Sequence, residues 1–251
     1  MDKMIFTSLN SIQNLYDQRF NISQNLANIS VPGYRRDLGN DAGSAFLEQY
    51  DQLGPRAYNM ESGPGQFSNE PGALKLSDVK TDIALINNSF MLALNDNDEV
   101  IFTRRGDLQV SPNGTLTNGA GERILSEDLE PFELPAFKDI SVAPNGEVLL
   151  DTMDSPDGTF SSFGILASVN PDNYKLYKDL DGGIKHFGEN EIESDQSGNF
   201  VQGSLELSNV NPVLEMVASI DNQRQFELNM KLIKAAEEAD RSGMSLLKIS
   251  Q

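Results

Sequence analysis

Histidine occurs once in the chain, at His186, and cysteine not at all, so the usual nitrogen and sulfur ligands for a zinc or iron centre are missing. The same shortage removes thiolate nucleophiles and any His-based triad. No Gly-x-Ser-x-Gly elbow, phosphate-binding loop or dinucleotide fingerprint is present. The run Asn95-Asp96-Asn97-Asp98-Glu99 offers oxygen ligands for calcium, yet lacks the spaced carboxylates and central glycine of an EF-hand loop, and reads better as a hairpin tip. Carboxylate pairs suited to glycoside hydrolysis carry no weight, because with 38 acidic residues some pair always falls near the required separation. Neither an enzyme, nor a cofactor, nor a metal site is expected from these residues.

The elements around these side chains say more. The 251 residues carry a formal net charge of −19, which disfavours nucleic acid and anionic membrane surfaces as partners. A hydrophobic fraction of 38 % with 23 % charged residues allows a modest core. Charge is unevenly spread. Lys3, Arg19, Arg35 and Arg36 outweigh Asp2 and Asp17 in residues 1–36, and residues 206–251 are nearly balanced, so the middle holds essentially all of the negative charge. Near-neutral ends can pack closely between copies, whereas an acidic middle stays solvated. The N-terminal residues lack a basic stretch followed by an unbroken apolar run, so export by a cleaved secretory signal is not expected.

From Asp2 to Ile29 there is no Gly or Pro, which permits one long helix. Ile5, Ile12, Leu15, Ile22, Leu26 and Ile29 fall on one side of it, in an a/d heptad interrupted at Ser8 and Arg19. Asn10, Asn14, Asn21, Asn25 and Asn28 line the other side, either as an ordinary solvated face or as an uncharged hydrogen-bonding surface toward neighbouring copies. Pro32 and Gly33 end the helix. Near the C-terminus, Asn211 reads as an N-cap with Pro212 at the first helical position and Glu215 in the first turn. The helix that follows presents a broad apolar stripe of Val213, Met216, Val217, Ile220, Leu228, Leu232, Ala235 and Ala239, interrupted by Gln223 and Arg224. Gly243 is expected to weaken it.

Between the ends, residues 35–75 read as an extended connector punctuated by Gly and Pro, and residues 76–205 as an acidic antiparallel β domain of many short strands. Two turns, Pro112-Asn113-Gly114 and Pro144-Asn145-Gly146, have the chemistry of hairpin turns with a glycine bulge. The expected fold class is α+β. Long N- and C-terminal helices (1–34 and 206–251) pair into a coiled-coil-like assembly domain, with the antiparallel β domain inserted.

Asn25-Leu26-Ala27-Asn28 with Pro32-Gly33-Tyr34-Arg35-Arg36, and Leu207-Ser208-Asn209-Val210-Asn211 followed by Arg224-Gln225-Phe226-Glu227, resemble the terminal signatures of the bacterial flagellar rod and hook family. Asn88-Ser89-Phe90-Met91-Leu92 and Phe102-Thr103-Arg104-Arg105-Gly106-Asp107 resemble its central signature, with Ser89 where the family favours Gly and Phe102 in place of Tyr. The resemblance implies an axial rod subunit, more like the proximal than the distal rod proteins. Such a subunit is exported by the flagellar type III apparatus, placed in the periplasmic rod of the basal body, and assembled with itself and other rod proteins to transmit torque. It implies assembly roles for Ile5, Ile12, Leu15, Ile22, Asn25, Leu26, Asn28, Pro32, Gly33, Ser208, Asn209, Asn211, Val217, Ile220, Arg224, Leu228 and Leu232, and no small-molecule substrate. A distal rod or hook-type subunit, or a secreted β-rich binding module, are the alternatives.

Overall fold

The computed structural model describes residues 2–38, 65–153, 156, 158–179, 181–188 and 192–248. The chain divides into two compact units, one made of Met1–Ala27, Asp37–Gly63 and Asn211–Gln251, the other of Asn28–Arg36 and Pro64–Val210. Most of the expected connector 35–75 lies outside the described residues.

The first unit holds the helices α1 (Asp2–Ala27) and α2 (Pro212–Lys248) and the short strand β1 (Asp37–Leu38). Absence of Gly and Pro lets α1 run unbroken, and α2 continues through Gly243, where glycine's cost is outweighed by the good helix formers around it. Asn211 Oδ1 accepts from the N–H groups of Val213 (3.0 Å) and Leu214 (3.3 Å), satisfying two donors that a helix start leaves open.

The two helices touch along a stripe that the apolar pattern does not mark. Asn222 Nδ2 donates to the Leu15 carbonyl at 3.0 Å, Asn229 Nδ2 donates to Ser11 Oγ at 2.9 Å, and Tyr16 meets Phe226 edge to face at 6.0 Å. On α2 the buried positions are Glu215 and Asn222, while Val213, Leu214, Met216, Val217, Ile220, Leu228 and Leu232 are exposed. Leu15 is the one buried hydrophobic residue of the helices among those described.

The second unit is almost entirely β. Its strands are β2 (Gln66–Phe67), β3 (Leu74–Leu76), β4 (Ile83–Leu85), β5 (Phe90–Leu94), β6 (Val100–Thr103), β7 (Leu108–Val110), β8 (Leu116–Asn118) and β9 (Arg123–Ile124). They continue with β10 (Phe137–Val142), β11 (Glu147–Thr152), β12 (Ser161–Ile165), β13 (Ser168–Val169), β14 (Leu176–Lys178), β15 (Ile184–His186), β16 (Phe200–Gln202) and β17 (Ser204–Glu206). An eight-stranded sheet runs β14-β15-β6-β5-β9-β8-β7 with β13 added beside β5; β10-β11-β12 form a second sheet, and β16–β4 and β17–β3 are two-stranded. Their pairings are antiparallel. Strand β5 shows why its run is apolar throughout. Met91 and Ala93 face one cluster with Ile83, Ile101 and Ile124, while Phe90 and Leu92 face another with Phe102, Ala167 and Val169, so both faces of the sheet are covered. The two Pro-Asn-Gly turns close hairpins: Gly114 and Gly146 have φ of 87° and 86°, and donate to the Ser111 and Ala143 carbonyls at 2.8 and 2.9 Å.

The expected α+β class is therefore corrected. The chain is mostly β sheet, with two helices among the described residues, one at each end, and not a coiled-coil-like assembly domain carrying an inserted β domain. Apolar burial decides it. Both hydrophobic clusters lie in the β unit, and the helix contact is made by amides and an aromatic pair instead of an a/d seam.

Candidate assembly surface

The amide signatures near the chain ends act first within the chain. Asn25, buried, receives the Asp37 N–H on Oδ1 at 2.8 Å and donates Nδ2 to the Asp37 carbonyl at 3.1 Å, so its side chain stands in for a strand partner. Asn28 accepts the Val31 N–H on its carbonyl at 3.2 Å, turning the chain toward Pro32 and Gly33. Gly33 has φ of 67°, and a Cβ there would lie 2.3 Å from the Arg104 carbonyl oxygen, so only glycine fits. Ser208 Oγ accepts from the Val210 N–H at 3.3 Å. Asn209 receives the Arg36 N–H at 2.6 Å and donates to the Ser68 and Glu70 carbonyls at 3.3 and 2.8 Å.

Around the Gly33 and Asn209 contacts lies a buried charged node in the β unit. Glu206 Oε2 accepts from Arg104 Nε at 2.6 Å, and Glu206 Oε1 stands 3.1 Å from Arg35 Nη1 while accepting the Gly72 N–H at 2.8 Å. Arg104 also donates to the carbonyls of Asn87 (2.7 Å), Ser89 (2.5 Å) and Leu85 (2.7 Å). Both guanidiniums lie about 6 Å from the Phe90 ring centroid, at 5.9 and 5.8 Å. One carboxylate thus serves two buried arginines. Burial, opposed by Glu206, pulls the Arg35 guanidinium down to about 10. Arg35 and Arg104 were legible as motif residues, but Glu206 was not; the only signal for it is a carboxylate set inside the apolar Leu205-Glu206-Leu207.

The remaining sites are on the helices. Ile12, Ile22 and Leu26 are partly buried on α1, and Leu15 is buried; the side chain of Ile5 lies outside the described residues. Val217, Ile220, Leu228 and Leu232 are each about half exposed or more, and Arg224 extends outward near Asp221 at 3.8 Å. With Val213, Leu214 and Met216 they leave a long apolar stripe on α2 open to water.

His186 stacks its ring edge-on to Tyr174 at 5.2 Å. Glu99, from the acidic tip, is engaged with Lys185 at 2.9 Å, which also meets Asp179 and Asp181 at 2.7 and 3.2 Å. No group of three or more metal-ligating side chains occurs among the described residues.

Comparison with known proteins finds likeness to the flagellar basal-body rod proteins. The model of the C-terminal region of the flagellar basal-body rod FlgEFG proteins matches residues 201–246, which hold Glu206, Asn209 and most of α2. Over the full length of both chains, this protein is 29 % identical to the flagellar basal-body rod protein FlgF of Salmonella typhimurium and 27 % identical to that of Escherichia coli. Over its whole length the chain is thus similar to flagellar basal-body rod proteins. The likeness extends to the flagellar basal-body rod protein FlgG of Borreliella burgdorferi, 27 % identical over 86 % of this chain and 88 % of the relative. Asn25, Gly33, Arg104 and Asn209 are spent on intrachain geometry, whereas the α2 stripe is open to water.

Proposed function

We propose that this protein is a structural axial subunit of the bacterial flagellar basal-body rod, in which copies of the chain and other rod proteins pack against the apolar stripe of α2. The observation that carries the reading is the exposure of Val213, Leu214, Met216, Val217, Ile220, Leu228 and Leu232 along one helix of a chain with full-length rod relatives. A stripe of that size is costly to leave in water, and burying it between subunits supplies the association energy, at about 25 cal/mol per Å² of apolar area. The chain has no enzymatic role in this reading; it carries torque as a packed element of the rod. Export through the flagellar type III apparatus and a periplasmic position follow from the same proposal. So does the assignment to the proximal part of the rod, with a distal rod or hook-type position as the second reading, supported by the likeness to the FlgG protein. Electron microscopy of isolated basal bodies with this subunit labelled tests both. Label at the proximal rod is the expected result; label at the distal rod favours the second reading, and basal bodies without label overturn both.

A further inference from the structure

The segment Asn28–Arg36 belongs to the β unit, yet contributes no side chain to either apolar cluster, and Arg35 is its single buried residue. What holds it is polar. The Gly33 N–H donates to the Glu206 carbonyl at 2.8 Å, the Arg36 N–H to Asn209 Oδ1 at 2.6 Å, and the Ser68 N–H to the Arg36 carbonyl at 2.8 Å. Lys178 Nζ donates to the Arg35 carbonyl at 2.8 Å and lies 3.7 Å from the Tyr34 ring centroid. Arg35 itself reaches Glu206 and the Glu70 carbonyl, but its Nε and Nη2 are buried and have no hydrogen-bond partner among the described residues.

That last feature sets the balance. A buried donor with no acceptor loses its hydration without compensation, so the closed segment carries a penalty that water relieves as soon as Arg35 is uncovered. The sheets carry no such penalty at β5, where Phe90, Met91, Leu92 and Ala93 are buried in apolar surroundings. We propose that residues 28–36 are a detachable strap, latched onto the β unit by Glu206 and Asn209, which opens as a unit of its own while the apolar clusters stay closed. α1 ends at Ala27, so the strap follows that helix directly in the chain. This inference is independent of the rod assignment, since it concerns the isolated chain.

Hydrogen–deuterium exchange on the full-length protein, read by mass spectrometry, tests it. In the wild type, peptides covering the Gly33 and Arg36 amides exchange at least about 100-fold faster than β5. Glu206→Gln accelerates the strap by a further factor of about 100, because removing the shared carboxylate leaves two buried guanidiniums without their anion. Asn209→Ala, which touches no buried charge, accelerates it about tenfold, and it decides the matter if the Glu206 variant does not fold. In both variants β5 stays at least about 100-fold slower than the strap. Strap and β5 exchanging together in wild type and variants would overturn the proposal, as would strap amides indifferent to both substitutions.

Discussion

Arg104 Nε donates to Glu206 Oε2 at 2.6 Å across 102 residues of chain, and both side chains are about 1 % exposed. The pair joins the end of β6 to the end of β17 and is completed by three backbone carbonyls that accept from the same guanidinium. A buried charge of this kind is costly unless paired and hydrogen-bonded, so geometry matters as much as charge.

Arg104→Lys keeps the charge but loses the planar fork, leaving carbonyls of Leu85, Asn87 and Ser89 without donors. Denaturant unfolding of the variant is expected to show a loss of about 3 kcal/mol, a value typical of breaking a buried pair. A loss below about 1 kcal/mol would mean that the fork is not what stabilises the site.

Gly106, in the central signature beside Arg104, is packed against β4: a Cβ there would lie 1.7 Å from the Ile83 carbonyl oxygen, while the Ile83 N–H donates to the Gly106 carbonyl at 2.9 Å. Neither backbone can give way without opening the fully buried Ile83. Gly106→Ala is therefore expected to lower stability by about 3 kcal/mol or more, by thermal or chemical unfolding, despite the small size of the added group.

Lys185 gathers Glu99, Asp179 and Asp181, and the contacts raise its pKa above its ordinary value of 10.5, the Asp179 hydrogen bond contributing most. Glu99 is held below 4.5, chiefly by its hydrogen bond to Lys185. A lowered carboxyl contributes stability above its unfolded pKa and loses it as pH falls through the folded value; a raised ammonium contributes below its unfolded pKa and loses it as pH rises through the folded value. The stability difference between wild type and Lys185→Met is thus expected to be largest near neutrality, to shrink in acid below about pH 4 and in base above about pH 10.5, and to fall with added salt. Unfolding measured across pH checks this; a difference independent of pH would point to packing instead of charge.

Much of the β unit is legible in the sequence because its strands are apolar on both faces. Phe90–Leu94 and Val100–Thr103 stand out as runs, and the Pro-Asn-Gly turns mark the β7–β8 and β10–β11 hairpins with backbone chemistry that favours glycine at positive φ. Strands such as Leu176–Lys178, Ile184–His186 and Ser204–Glu206 are short and mix Lys, His and Glu with apolar residues, so nothing local distinguishes them from loops; their pairing supplies the order. The Glu206 node is illegible for a different reason. It depends on Arg35 and Arg104 arriving from distant stretches, and a charge inside an apolar run carries no mark of its partner. On α2 the apolar periodicity was visible, but periodicity does not say whether the stripe is buried within the chain or kept for something else, and the polar stripe of Glu215, Asn222 and Asn229 took the inner position.

The central claim is that this outward stripe is the packing surface of a rod subunit, and it is tested most directly by incorporation of the double variant Val217→Asp with Ile220→Asp into basal bodies of cells lacking the native chain. Both positions are more than half exposed, so the purified variant is expected to unfold within about 0.5 kcal/mol of the wild type. The wild-type chain is expected to appear in isolated basal bodies and restore motility, and the variant to be absent from them and leave the cells non-motile. A folded variant that enters basal bodies as efficiently as the wild type would contradict the account.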